Sequence, residues 1–129
     1  MKPYQLLGLP YRLGAIPDIH KAGDCYTISR DVLKSYGINS PEPTREWYRR
    51  LRRQDFDVFS EELEKYCSVV TAAKIGVIAL VKAQKGYGLA TYWEEGWISF
   101  VDQEVRWSQL ESLVVEQFYY PMKHNFVTH

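Results

Sequence analysis

The chain predicts an α+β domain in which N-terminal helices pack on a C-terminal antiparallel β-meander. The longer helical patterns fall within residues 24–66, and short β-rich runs follow over residues 69–120. Turn signals at Lys85-Gly86 and Glu95-Gly96 divide those runs. The 129 residues are read as one domain, 1–129, long enough to close a hydrophobic core without disulfide or metal staples.

Taken in order, residues 1–23 are loop-rich. Pro3, Gly8, Pro10, Gly14, Pro17 and Gly23 leave room for one helical turn around Tyr4 to Leu7. The strongest helix runs from Asp24 to Tyr36: Ile28, Val32 and Tyr36 recur every four residues, and Leu33 widens the stripe. Asp24 is its expected cap and Gly37 its stop. Asn39 to Pro43 is a connector, after which Thr44 caps a helix through Trp47, Tyr48 and Leu51. Ser60, placed before Glu61 and Glu62, suggests a further helix from Phe59 to Tyr66. The strands expected are Val69-Val70, Ile75 to Val81, Tyr87 to Trp93, Trp97 to Val101 and Val114 to Tyr120, the last ended by Pro121. Ser108 to Leu113 is read as a short helix.

Sixteen basic and sixteen acidic residues cancel, so no global field steers the chain toward nucleic acid or anionic lipid. No run approaches the roughly 18 apolar residues of a membrane-spanning helix, and residues 1–11 lack the apolar core of a signal peptide. Aromatic residues make up 15%, enough to fill a small core, an interface or a cleft. Cys25 and Cys67 have no metal-type spacing with histidine or with each other, and are read as free thiols. No cofactor or metal site is expected.

Cys25 opens the strongest helix. Orphan N–H groups and the positive end of a helix dipole stabilise a thiolate there, so Cys25 is the candidate nucleophile. A cysteine on the apolar side of a helix is also a common small core residue, which is the competing reading. Cys67, between a helix end and a Val-Val run, is read as core.

Several residues together resemble a known family. Pro10-Tyr11-Arg12-Leu13-Gly14, then Asp24-Cys25-Tyr26 opening a helix, Arg30-Asp31, Tyr36-Gly37-Ile38, Trp47-Tyr48 and the closing Tyr120-Pro121-Met122-Lys123-His124 are similar to the NlpC-type papain-like cysteine peptidases. Within that group the phage tail assembly protein K branch is the most similar. The resemblance implies a papain-like fold that cleaves peptide or amide bonds of bacterial cell walls. It makes Cys25 the nucleophile and Tyr11 the cleft tyrosine, with a histidine base on the first long strand after the helices and an orienting residue on the next. Here the first of those strands reads Gly86-Tyr87-Gly88, so Tyr87 or Gly86 stands where the base belongs, and Ser99 stands at the orienting position.

A general base is worth roughly 10²–10⁴-fold in rate, and a thiol of pKa about 8.5 is a few per cent ionised at neutral pH. The expectation is therefore a degenerate domain with a vestigial Cys25, serving as a structural or assembly component of a phage tail tip, hub or baseplate. It is located in the virion, or in the host cytoplasm during assembly. Expected partners are other tail proteins, met through Trp47, Tyr48, Arg49 and Arg50, or a second copy of the chain. The alternative is an active peptidoglycan endopeptidase or amidase in which His20, five residues before Cys25, supplies the base; His124 and His129 are the other histidines. A weaker reading takes the run Arg45 to Arg53 as a nucleic-acid binder, against which the acids from Asp55 to Glu64 count.

Overall fold

The computed structural model describes residues 1–83 and 86–122. Five helices precede or lead into a six-stranded sheet: α1 Pro3–Leu6, α2 Pro17–His20, α3 Cys25–Ser35, α4 Arg45–Arg52 and α5 Asp57–Tyr66, then β1 Cys67–Val70, β2 Ile78–Ala83, β3 Gly86–Trp93, β4 Gly96–Val101, β5 Glu104–Gln109 and β6 Val115–Pro121. The α+β class holds, and every strand pair is antiparallel. The order across the sheet is β1-β6-β2-β3-β4-β5. Only β2 to β5 form a meander; β6 returns to lie between β1 and β2, which corrects the simple meander expected.

Helix α3 is bounded by its own sequence. Asp24 accepts the N–H groups of Tyr26 and Thr27 at 2.9 and 2.8 Å, while the Thr27 hydroxyl accepts the Asp24 N–H at 2.9 Å. At the other end Gly37 sits at φ +81°, its N–H donating to Lys34 O, and Ile38 N–H donates to Leu33 O at 3.0 Å. That pair of bonds is the Schellman motif, which needs a residue tolerant of the left-handed region.

Strand β2 shows why its first four residues, Ile78 to Val81, are all apolar. Ile78 and Leu80 face α3, α4 and α5, in a core with Leu33, Leu51, Leu63 and Leu89, whereas Ala79 and Val81 face Ala90 and Trp97 on the opposite side. A third cluster joins Leu6 of α1 and Ile28 and Val32 of α3 to Ile98 and Val105. Helix α3 thus lies across β3 and β4.

Several boundaries differ from those expected. Helix α5 begins at Asp57, and Ser60 lies inside it, its hydroxyl donating to Asp57 O, because starting earlier buries Val58 and Phe59. Residues 104–109 form an edge strand, and only 110–112 of the expected helix curl into a 3-10 turn. The second turn is made by Glu94 and Glu95, both at positive φ, with Gly96 already in β4. Pro121 is the last residue of β6, opposite Cys67. Lys85 lies outside the described residues.

Candidate functional site

The site is assembled by backbone pairing at the N-terminal segment. Gly8 N–H donates to Val105 O at 2.8 Å, Val105 N–H to Leu9 O at 3.0 Å and Tyr11 N–H to Gln103 O at 2.9 Å, so residues 8–11 cover part of the outer edge of β5. The chain then folds onto residue 23: Gly23 N–H donates to Pro10 O and Arg12 N–H to Gly23 O. Tyr11 packs edge-on against Phe100 of β4, with ring centroids 5.2 Å apart. The start of α3 is thereby brought beside the tyrosine.

Asp24 anchors that junction. It is 2% exposed, and beyond its two cap bonds its Oδ2 accepts the Gly14 N–H at 2.8 Å. Its carboxylate also faces the Tyr48 hydroxyl, so the ionised phenol is disfavoured by burial and by this neighbouring charge. Three N–H donors thus fix the Asp24 carboxyl in place next to the first residue of α3.

That first residue is Cys25, half-buried. Burial pushes its thiol well above the ordinary range, and the Asp24 charge adds to the rise. The N–H groups of Leu89, Cys25 and Tyr26 point the other way, favouring the thiolate, and do not prevail. A helix start is present, but an anion beside it and low polarity around it cancel its effect. Tyr11 responds to the same surroundings: burial first, then Cys25 and Asp24, push its phenol up to about 12.

The sheet supplies the rest. β3 and β4 pair at Trp93↔Gly96, Tyr92↔Trp97 and Thr91↔Ile98 and no further, although β3 continues to pair with β2 and β4 with β5. The two strands diverge into a fork. A cavity of about 630 Å³ occupies it, and Tyr11, Cys25, Tyr87 and Ser99 all line it. Phe56 and Phe59 form part of its apolar wall. Ser99 is 5% exposed and its Oγ has no hydrogen-bond partner among the described residues.

No histidine lines the cleft among the described residues. His20 ends α2, is exposed, and accepts the Ile16 N–H on its Nδ1 at 2.8 Å. His124 and His129 lie outside the described residues, as does part of the closing Tyr120 to His124 run. No group of three or more His, Cys, Asp or Glu side chains suited to a metal ion occurs among the described residues.

Two of the expected partner contacts are corrected. Trp47 is a core residue, 8% exposed and edge-on to the Tyr26 ring at 4.7 Å. Arg50 is turned inward on its own neighbours, forked onto Glu61 at 2.8 and 2.9 Å and bonded to Asp55 at 2.8 Å. Arg49 is exposed beside Glu46, and Tyr48 is half-buried. No helix among the described residues is long and apolar enough to cross a membrane.

Sequence reasoning missed Leu89 and Phe100, whose backbones form the open ends of the fork. Their apolar side chains mark them as core, and nothing in a single strand's sequence says where its pairing with a neighbour stops. No family model and no curated protein matches the chain.

Proposed function

We propose that this chain is a papain-like, NlpC-type domain without its proton acceptor, acting as a structural or assembly component of a phage tail. One observation carries the non-catalytic part: Cys25 shares its cleft with Tyr11, Tyr87 and Ser99 and with no imidazole among the described residues. A thiol raised by burial and by Asp24 is a poor nucleophile, and neither a phenol near pKa 12 nor a serine hydroxyl takes its proton at neutral pH. The helix-start cysteine, laid against an antiparallel sheet behind helices, is the arrangement the resemblance implies. The tail assignment rests on the resemblance to the protein K branch.

Muropeptide digestion and phage assembly test the two parts separately. The purified chain is expected to leave muropeptides uncut. In a phage carrying the gene, Cys25→Ala is expected to give normal particle numbers and infectivity, whereas deletion removes assembled tails. Cys25-dependent digestion would contradict the non-catalytic part, and full tail assembly in the deletion would contradict the structural part.

A further inference from the structure

Alternation along the strands identifies which backbone groups face the fork. Tyr92 N–H donates to Val77 O on the β2 side, and Lys82, opposite Tyr87, turns its N–H to Val114 O. Thr91, Leu89 and Tyr87 therefore direct their N–H and C=O groups toward β4. Across the tight turn, the two-residue loop makes Trp93 and Gly96 a hydrogen-bonded pair, which aims Ile98 and then Phe100 at β3. The next rung would join Leu89 to Phe100, and it is not made. The Leu89 N–H addresses the Cys25 sulfur instead, a weak acceptor.

Buried backbone groups are nearly always paired, and Leu89 is 3% exposed. The unpartnered Ser99 Oγ lies at the same opening. Two facing strand edges, with an aromatic-walled cavity between them, fit an extended chain better than a compact ligand. Such a chain offers main-chain donors and acceptors at the strand repeat and side chains to both faces. Of the charged residues lining the cavity, Asp24 already holds three N–H groups, Lys82 pairs with Glu116 at 3.7 Å and Asp102 is exposed to water, so a charge buried on the occupant would have no committed counter-ion.

We propose that the fork between β3 and β4 accepts an extended, uncharged segment of a partner protein as an added strand. This rests on the non-catalytic reading of the cleft, and it gives the assembly role a contact. A carbonyl of the added strand replaces the sulfur as acceptor for Leu89 N–H, and Phe100 exchanges bonds from the opposite side.

The test uses the full chain and a displayed library of random peptides, followed by an N-methyl scan of the selected sequence. Uncharged peptides are expected, with binding weakened at least about tenfold by methylating every second amide and retained at the amides between. Hydrogen exchange at Leu89 and Phe100 is expected to slow in the complex. Failure to select any peptide, sensitivity without alternation, or protection elsewhere would overturn the added strand. Muropeptide turnover by the same preparation would overturn the non-catalytic reading and the added strand with it; an inert thiol without alternating sensitivity overturns the added strand alone.

Discussion

At the hairpin end of the β3–β4 pair, Trp93, Tyr92 and Thr91 meet Gly96, Trp97 and Ile98 rung by rung; at the other end, Leu89 and Phe100 face a cavity. The closed end is held by aromatic rings. Trp97 stacks on Phe118 at 5.9 Å, meets Tyr92 edge-on and donates its indole N–H to Leu110 O. Trp107 lies on Gly96 and donates to Trp93 O at 2.9 Å. At the open end the start of α3 stands instead, with Cys25 as its first residue. The contrast teaches that the cleft comes from where pairing stops, and that the thiol's surroundings are set by the sheet and by Asp24 more than by the helix start.

The largest effect should come from breaking the closed end. Trp97→Ala is expected to cost about 3–5 kcal/mol in chemical denaturation, and a loss under about 1 kcal/mol would show that the rings do not hold it. Gly96→Ala puts a methyl against the Trp107 ring and the Ser108 carbonyl and should cost about 1–3 kcal/mol. At the open end Asp24→Ala should cost about 0.5–2 kcal/mol through the lost cap. Asp24→Asn should keep more of that stability and speed Cys25 alkylation, because a neighbouring charge is removed. Cys25→Ala should be the smallest change, about 0.5–1.5 kcal/mol.

Alkaline pH acts on the same contrast. The Cys25 thiol is raised in the folded state, and burial pushes Cys67 up to about 12. Above the unfolded thiol range of about 8.5, the folded state therefore binds more protons than the unfolded one. Stability should fall as pH rises through and beyond that value. Denaturation midpoints across this range should flatten in Cys67→Ala relative to the parent chain.

Much of the helical half was legible because its signals are local. Asp24, Gly37 and Thr44 each act on backbone groups within a turn, and each does what its position predicts. Of the strand expected from Ile75 to Val81, only Ile78 to Val81 lie in β2, which runs on to Ala83. Strand β5 was not, since the polar residues of Glu104–Gln109 mask an edge strand with one buried side chain, Val105. The return of β6 between β1 and β2 is a long-range pairing that no local pattern encodes. At the site, Cys25, Tyr11, Tyr87 and Ser99 were chosen from sequence and share one cleft, while the fork that joins them was invisible. Trp47 and Arg50 look like surface anchors in sequence; a core ring and two acids nearby claim them.

The most direct measurement is peptide-resolved alkylation of Cys25 between about pH 6 and pH 10, spanning the ordinary thiol range. A cleft with no imidazole among its described residues, and with the Asp24 carboxylate fixed beside the sulfur, predicts slow modification whose rate keeps climbing past about pH 8.5 without levelling. Fast modification at the acid end, independent of pH, would reveal a stabilised thiolate and contradict the account.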